Sequence, residues 1–268
     1  MKTSLLFLAL FSVSNLFGQL PSFVSNSGLI GYWPLDNNVV DYSSNNNNGS
    51  SFAITGTTNR FNETNKALHF NGMNSYITIP HSGYSTFSLS FWYYMEQGLA
   101  SQFPLITGSV NPSSYSIFFN GTSGLQFQIA SGGTYAGNIS LTPWAEWTHL
   151  VCIYTQNDNK VRIYKNSNLI ITHNVYDIIT NAGNHILGKI NSSHLTGKLD
   201  DIGLWNRELS QNEINYLYDS SLELSEFNTT KNLVQILDLM GRETTFKPNT
   251  PLIYVYDDGS TEKVFKTE

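Results

Sequence analysis

Short apolar and aromatic runs recur along the chain, each ended by Gly, Asn, Ser or Pro. They are Leu29–Trp33, Ala67–Phe70, Tyr76–Ile79, Phe87–Met95, Tyr115–Phe119, Leu125–Ile129, Trp147–Tyr154, Val161–Tyr164 and Leu169–Thr172. Their length and their β-branched and aromatic content predict strands rather than helices. Val161–Tyr164 and Leu169–Thr172 flank Lys165-Asn166-Ser167-Asn168, a hairpin turn in which Asn tolerates positive φ. Many short strands separated by turns predict an all-β, two-sheet antiparallel sandwich. One helix stands apart. Ser210-Gln211-Asn212-Glu213 forms a capping box, and Leu209, Ile214 and Leu217 supply the staple and the apolar stripe of a short closing helix.

After Tyr218 the pattern weakens. Residues 24–220 read as the main domain and 221–230 as a linker. Residues 231–268 form a small C-terminal β-module, with Leu233–Leu237 and Leu252–Tyr256 as its strands and Asp257-Asp258-Gly259 as a tight turn. At the other end, residues 1–18 read as a signal peptide. Lys2 gives the positive start, Leu5–Val13 an apolar run too short to span a bilayer, and Gly18 a small residue before the cut. The mature chain is therefore expected to be secreted or on the exterior of the outer membrane of a Gram-negative cell, without a membrane span.

Composition narrows the function. Charged residues make up only 13% of the 268 and aromatics another 13%, which excludes a disordered chain or a long solvated helix. Fourteen basic residues against twenty acidic ones leave a net charge of −6, which argues against nucleic acid as a partner. Cys152 is the single cysteine, so no intrachain disulfide forms; its apolar surroundings make it a core side chain.

Several blocks together carry a resemblance. Gly28-Leu29-Ile30-Gly31-Tyr32-Trp33-Pro34-Leu35-Asp36, Asp41-Tyr42-Ser43-Ser44-Asn45, Ala67 through Ile77, Phe87 through Trp92, Trp147-Thr148-His149-Leu150-Val151 and Gly197 through Ser210 follow one another in the order of LamG-like domains. Residues 24–220 resemble that family, which implies a concanavalin A-like jelly roll. The tail is similar to sorting domains of the type IX secretion system. The similarity lies in Leu237-Asp238-Leu239-Met240-Gly241-Arg242 and in Pro251 through Tyr256 with Gly259 and Lys263. This resemblance implies the type IX machinery as a partner.

The family's hydrolases carry paired carboxylates on one strand. The chain has no such pair, no Gly-x-Ser-x-Gly and no His-Glu-x-x-His. The expectation is a non-catalytic binding or adhesion module; the alternative is a divergent glycoside hydrolase or lyase. The resemblance also implies a structural calcium where the first strand's loop meets the last strand. Asp36 and Asp200 are its carboxylates, Gly72 and Asn74 of the Asn71–Asn74 turn supply oxygen, and Asp41 stands in reserve. The competing reading is that Asp36 and Asp41 make Asx-turns and Asp200 ends a strand. For a glycan or a cell-surface protein, Tyr135, Trp144 and Trp147 are the candidate contacts; Trp33, Trp92 and Trp205 belong to the core.

Overall fold

The computed structural model describes residues 19–80, 84–96, 102–108, 115–120, 124–129, 134–139, 145–175, 184–220, 233–256 and 261–265. The leader (1–18), the linker (221–230), Trp144 and the turn at 257–259 lie outside the described residues. The chain divides into two compact units, Met1–Glu223 and Leu224–Glu268.

In the first unit the strands begin with β1 (Leu29–Trp33), β2 (Ser50–Phe52), β3 (Thr55–Thr57), β4 (Ala67–Asn71), β5 (Tyr76–Ile79) and β6 (Thr86–Met95). Then follow β7 (Gln102–Thr107), β8 (Tyr115–Asn120), β9 (Gly124–Ile129), β10 (Thr134–Ile139), β11 (Trp147–Thr155) and β12 (Lys160–Lys165). The last are β13 (Asn168–Asn174), β14 (His185–Leu187), β15 (Lys189–Ile190), β16 (Ser193–His194) and β17 (Thr196–Trp205), followed by the helix α1 (Gln211–Tyr218). The larger sheet has eight strands in the order β13-β12-β11-β6-β17-β4-β3, with β1 also on β17. The other runs β10-β9-β8-β7-β14-β5-β2. All pairings in both sheets are antiparallel, so the expected jelly-roll sandwich is what the chain forms. The chain's first and last long strands do pair, with Leu29 opposite Trp205 and Trp33 opposite Ile202.

Alternation explains the core. Along β6, Phe87, Leu89, Phe91, Tyr93 and Met95 face the second sheet and join Leu150, Cys152, Tyr154 and Leu199 in one buried cluster. Burial pushes the Cys152 thiol up, so it stays protonated, a packing group. The opposite face of β11 is apolar as well. There Val151 and Ile153 pack with Tyr32, Trp205, Leu209, Ile214 and Leu217, which places α1 and the segment around Val24 on the outer face of the larger sheet. Trp33, Trp92 and Trp205 are all buried, as their positions in the strands predict.

The local signals match in detail. Asn166 and Ser167, both at positive φ, make the two-residue turn between β12 and β13. Ser210 accepts from the Glu213 amide and Glu213 accepts from the Ser210 amide, closing the predicted box. Arg207 adds a bond of 2.9 Å to the Glu213 carboxylate. Burial alone would raise this carboxyl, but the bonds from Arg207 and Ser210 hold it at about 2.

The second unit is a meander of β18 (Leu233–Leu237), β19 (Leu252–Tyr256) and β20 (Thr261–Val264). Leu233, Val234, Leu239, Met240, Phe246 and Phe265 are exposed on it. Among the described residues, no helix is long and apolar enough to cross a membrane.

Candidate binding sites

The outer face of the larger sheet holds three zones. The first is the apolar area that α1 covers. The second is the row His149–Trp92–Asp200, matched across β11, β6 and β17. Arg60 roofs this row, its guanidinium 4.6 Å from the centre of the Trp92 ring and 4.5 Å from that of Phe61. Asn59 holds the Arg60 loop in place by accepting from the amides of Phe61 and Glu63.

Arg60 is a residue that the sequence did not reveal. It bonds Asp200 at 3.0 Å and Asp201 at 2.7 Å, with its own side chain 8% exposed. Two consecutive aspartates reach one guanidinium because the β17–β6 ladder slips between Asp200 and Gly203 and Asp201 takes φ 46. A bulge of this kind points neighbours to one side instead of opposite sides. The Tyr32 hydroxyl donates to Asp201, and burial followed by that carboxylate's charge pushes the phenol well up. Burial and the Asp201 charge push Asp200 up, against the pull of Arg60.

A cleft of about 340 Å³ opens here, lined by Asp36, Arg60, Lys66, Asp200 and Asp201 with Tyr32 and Phe61 among its walls. It brings Asp36 and Asp200 to one place, as expected from the pairing of first and last strands. The remaining proposed calcium ligands are elsewhere. Asn71, which opens the turn, pairs with Thr196, four residues up β17 from Asp200 and so about 13 Å away. Neither Gly72 nor Asn74 lines the cleft. Gly72, at φ 73, makes the tight turn, and the Asn74 side-chain oxygen accepts from Asn71.

The carboxylates themselves are engaged with cations. Lys66 bonds Asp36 at 2.6 Å and Arg60 bridges Asp200 and Asp201. A hard cation needs oxygen ligands free of such partners. The cleft does not fit calcium, and Arg60 stands as the counter-charge. Asp41 is spent too: its buried carboxylate accepts from the amides of Tyr32, Ser43 and Asn47 and from the Ser43 hydroxyl, which shapes the 41–47 loop. The Asx-turn reading of Asp41 is thus the one the geometry supports. Among the described residues no three His, Cys, Asp or Glu side chains gather in a metal-binding group.

Nothing among the described residues covers the third zone. Trp147 pairs with Tyr94, Tyr94 with Lys198, Lys198 with His69 and His69 with Thr55, one row across β11, β6, β17, β4 and β3. All five side chains are half-buried or exposed. The Trp147 and Tyr94 ring centres are 5.7 Å apart with planes at 57°, and the Lys198 ammonium lies 4.9 Å from the Tyr94 ring centre. Glu96, two residues on from Tyr94, meets His69 at 3.2 Å. Gly197 lets β17 approach here; a Cβ on it would meet the Tyr94 carbonyl oxygen at 2.2 Å. Of the expected aromatic contacts, Trp147 lies on this face. Trp144 lies outside the described residues. Tyr135 lies on β10, opposite Phe127 in the other sheet, and so does not share this face.

The family profile of the concanavalin A-like lectin/glucanases superfamily matches residues 71–215. Among solved structures, domain 4 of AbnA, an extracellular GH43 arabinanase of Geobacillus stearothermophilus in complex with arabinotriose, has a TM-score of 0.62 at 21% identity. The match covers 71% of this chain and 98% of that one. The binding domain of botulinum neurotoxin serotype D has a TM-score of 0.57 at 14% identity, over 86% of this chain and 63% of that one. Trypanosoma rangeli sialidase has 0.52 at 15%, over 74% of this chain and only 33% of the sialidase. No curated protein matches the chain.

Proposed function

Because the chain belongs to the concanavalin A-like lectin/glucanases superfamily, we propose that it is an exported, non-catalytic cell-surface module that binds a glycan or a surface protein. The observation that carries this reading is the ledge, left uncovered by the described residues, where aromatic rings and hydrogen-bonding groups stand together on the sheet. Such a surface offers rings to the apolar faces of a ligand and polar groups to its hydroxyls. The AbnA domain that shares the fold is complexed with an arabinose trimer, and the neurotoxin domain is a binding domain by description, which agrees with this reading.

A divergent hydrolase or lyase would need carboxylates free to face a substrate. Asp36, Asp200 and Asp201 are held by Lys66 and Arg60 instead, which supports the non-catalytic reading. The sorting-like tail would deliver the module to the outer surface. A glycan array beside a surface-protein pull-down tests the binding, with Trp147→Ala expected to weaken it. Turnover of a polysaccharide panel would replace it with the enzymatic reading. Deleting residues 231–268 should leave the product in the periplasm; arrival at the surface regardless would refute the sorting role.

A further inference from the structure

We propose that the ledge takes a single, soluble, linear glycan chain laid across the strands, and that it rejects flat crystalline polysaccharide. This rests on the reading of the chain as a binding module and specifies what the module holds. The row Trp147–Tyr94–Lys198–His69–Thr55 runs perpendicular to the strands over five of them. Four gaps of about 4.8 Å give a length of about 19 Å, that of several sugar units rather than one.

The rings decide the shape of the ligand. A crystalline surface presents its sugars in one plane and needs coplanar rings to meet them. Here the Trp147 and Tyr94 planes stand 57° apart. The sheet beneath adds its own rotation of about 20–25° per strand, so the row turns as it advances. Only a chain free to twist can keep its sugar faces on both rings. Polar groups follow the rings along the same line. The Lys198 ammonium has no carboxylate within ion-pair distance among the described residues and remains a donor for hydroxyl or ring oxygens. The His69–Glu96 pair, both partly exposed, offers an acceptor beside it. Thr55 closes the row with an exposed hydroxyl. Among the described residues the row sets one ammonium, Lys198, beside one carboxylate, Glu96, and so has no surplus charge to select a strongly anionic chain.

The test uses the full chain with arabino-, xylo- and cello-oligosaccharide ladders in calorimetric titrations, and with microcrystalline cellulose and chitin in sedimentation. In at least one ladder, affinity should climb with length until the ligand spans the row and then level. Trp147→Ala should weaken binding by about tenfold or more, the loss common to an aromatic anchor. Lys198→Met, which keeps the alkyl stem and removes only the ammonium, should weaken it without affecting the fold. The crystalline polymers should stay unbound. Retention on crystalline material, length-independent binding or full affinity in both variants overturns this proposal and leaves the binding reading standing. No binding to any ladder or polymer with an empty glycan array overturns this proposal, and an empty surface-protein pull-down besides overturns both.

Discussion

His149 provides a test that reads burial directly as a pH dependence. Its ring lies on the outer face of β11, 1% exposed, with Nε2 at 2.8 Å from the Ser90 hydroxyl. Trp92 and Tyr218 cover it, their ring centres 5.1 Å and 6.1 Å away, and Nδ1 has no partner among the described residues. Burial, aided by the charge of Arg60, holds the imidazole at about 3 against an ordinary 6.5. The folded protein therefore keeps this ring neutral while the unfolded chain protonates it. A depressed histidine contributes full stability above 6.5 and loses it as pH falls toward 3. Between about pH 7.5 and pH 5 one such group costs about 2 kcal/mol. Urea unfolding at both pH values measures the loss. Ser90→Ala/His149→Phe, which removes both ends of the bond and so orphans neither, provides the comparison. Other titrating groups act equally in both proteins, and the difference between the two losses isolates His149. If the double variant loses as much as the parent, the buried neutral imidazole is not the cause.

Arg60→Met should destabilise the protein by about 3–5 kcal/mol, because it leaves Asp200 buried without its cation; urea unfolding checks this, and adding Asp200→Asn should restore part of the loss. With Arg60 as the counter-charge, the melting temperature of the parent should be the same in calcium and in EDTA, and an upward shift of several degrees in calcium would place an ion among these carboxylates. Ser210→Ala should cost about 1 kcal/mol by chemical denaturation, the usual value of a helix N-cap. Phe91→Ala, which empties a fully buried site between the sheets, should cost about 3–5 kcal/mol in the same assay.

Legibility in the sequence followed the side chains' surroundings. β6 and β11 are buried on both faces along most of their length, so Phe87–Met95 and Trp147–Tyr154 stand out as long runs rich in apolar and aromatic residues. The capping box is local and needed no tertiary information. By contrast, Ser50–Phe52 and Thr55–Thr57 lie at sheet edges and are too short and polar to leave a pattern. Gln102–Thr107 contains Pro104, which argues against a strand until the slip between Pro104 and Ile106 accommodates it.

The site was less legible than the fold for a reason that the register supplies. Trp147, Tyr94, Lys198 and His69 are separated by long stretches of chain and meet only because each strand pairs at one offset. A shift of one residue in β17 would turn Lys198 inward and Leu199 outward. The hydrophobic core therefore fixes the polar row: Leu68, Phe70, Leu199, Phe91 and Tyr93 must face the second sheet, so His69, Lys198, Trp92 and Tyr94 must face away. What lies outside is then divided by cover. Where α1 and Arg60 sit, the outward residues are buried and serve stability; beyond Trp92 nothing in the described residues covers them, and the same alternation that builds the core presents the row proposed to meet a ligand.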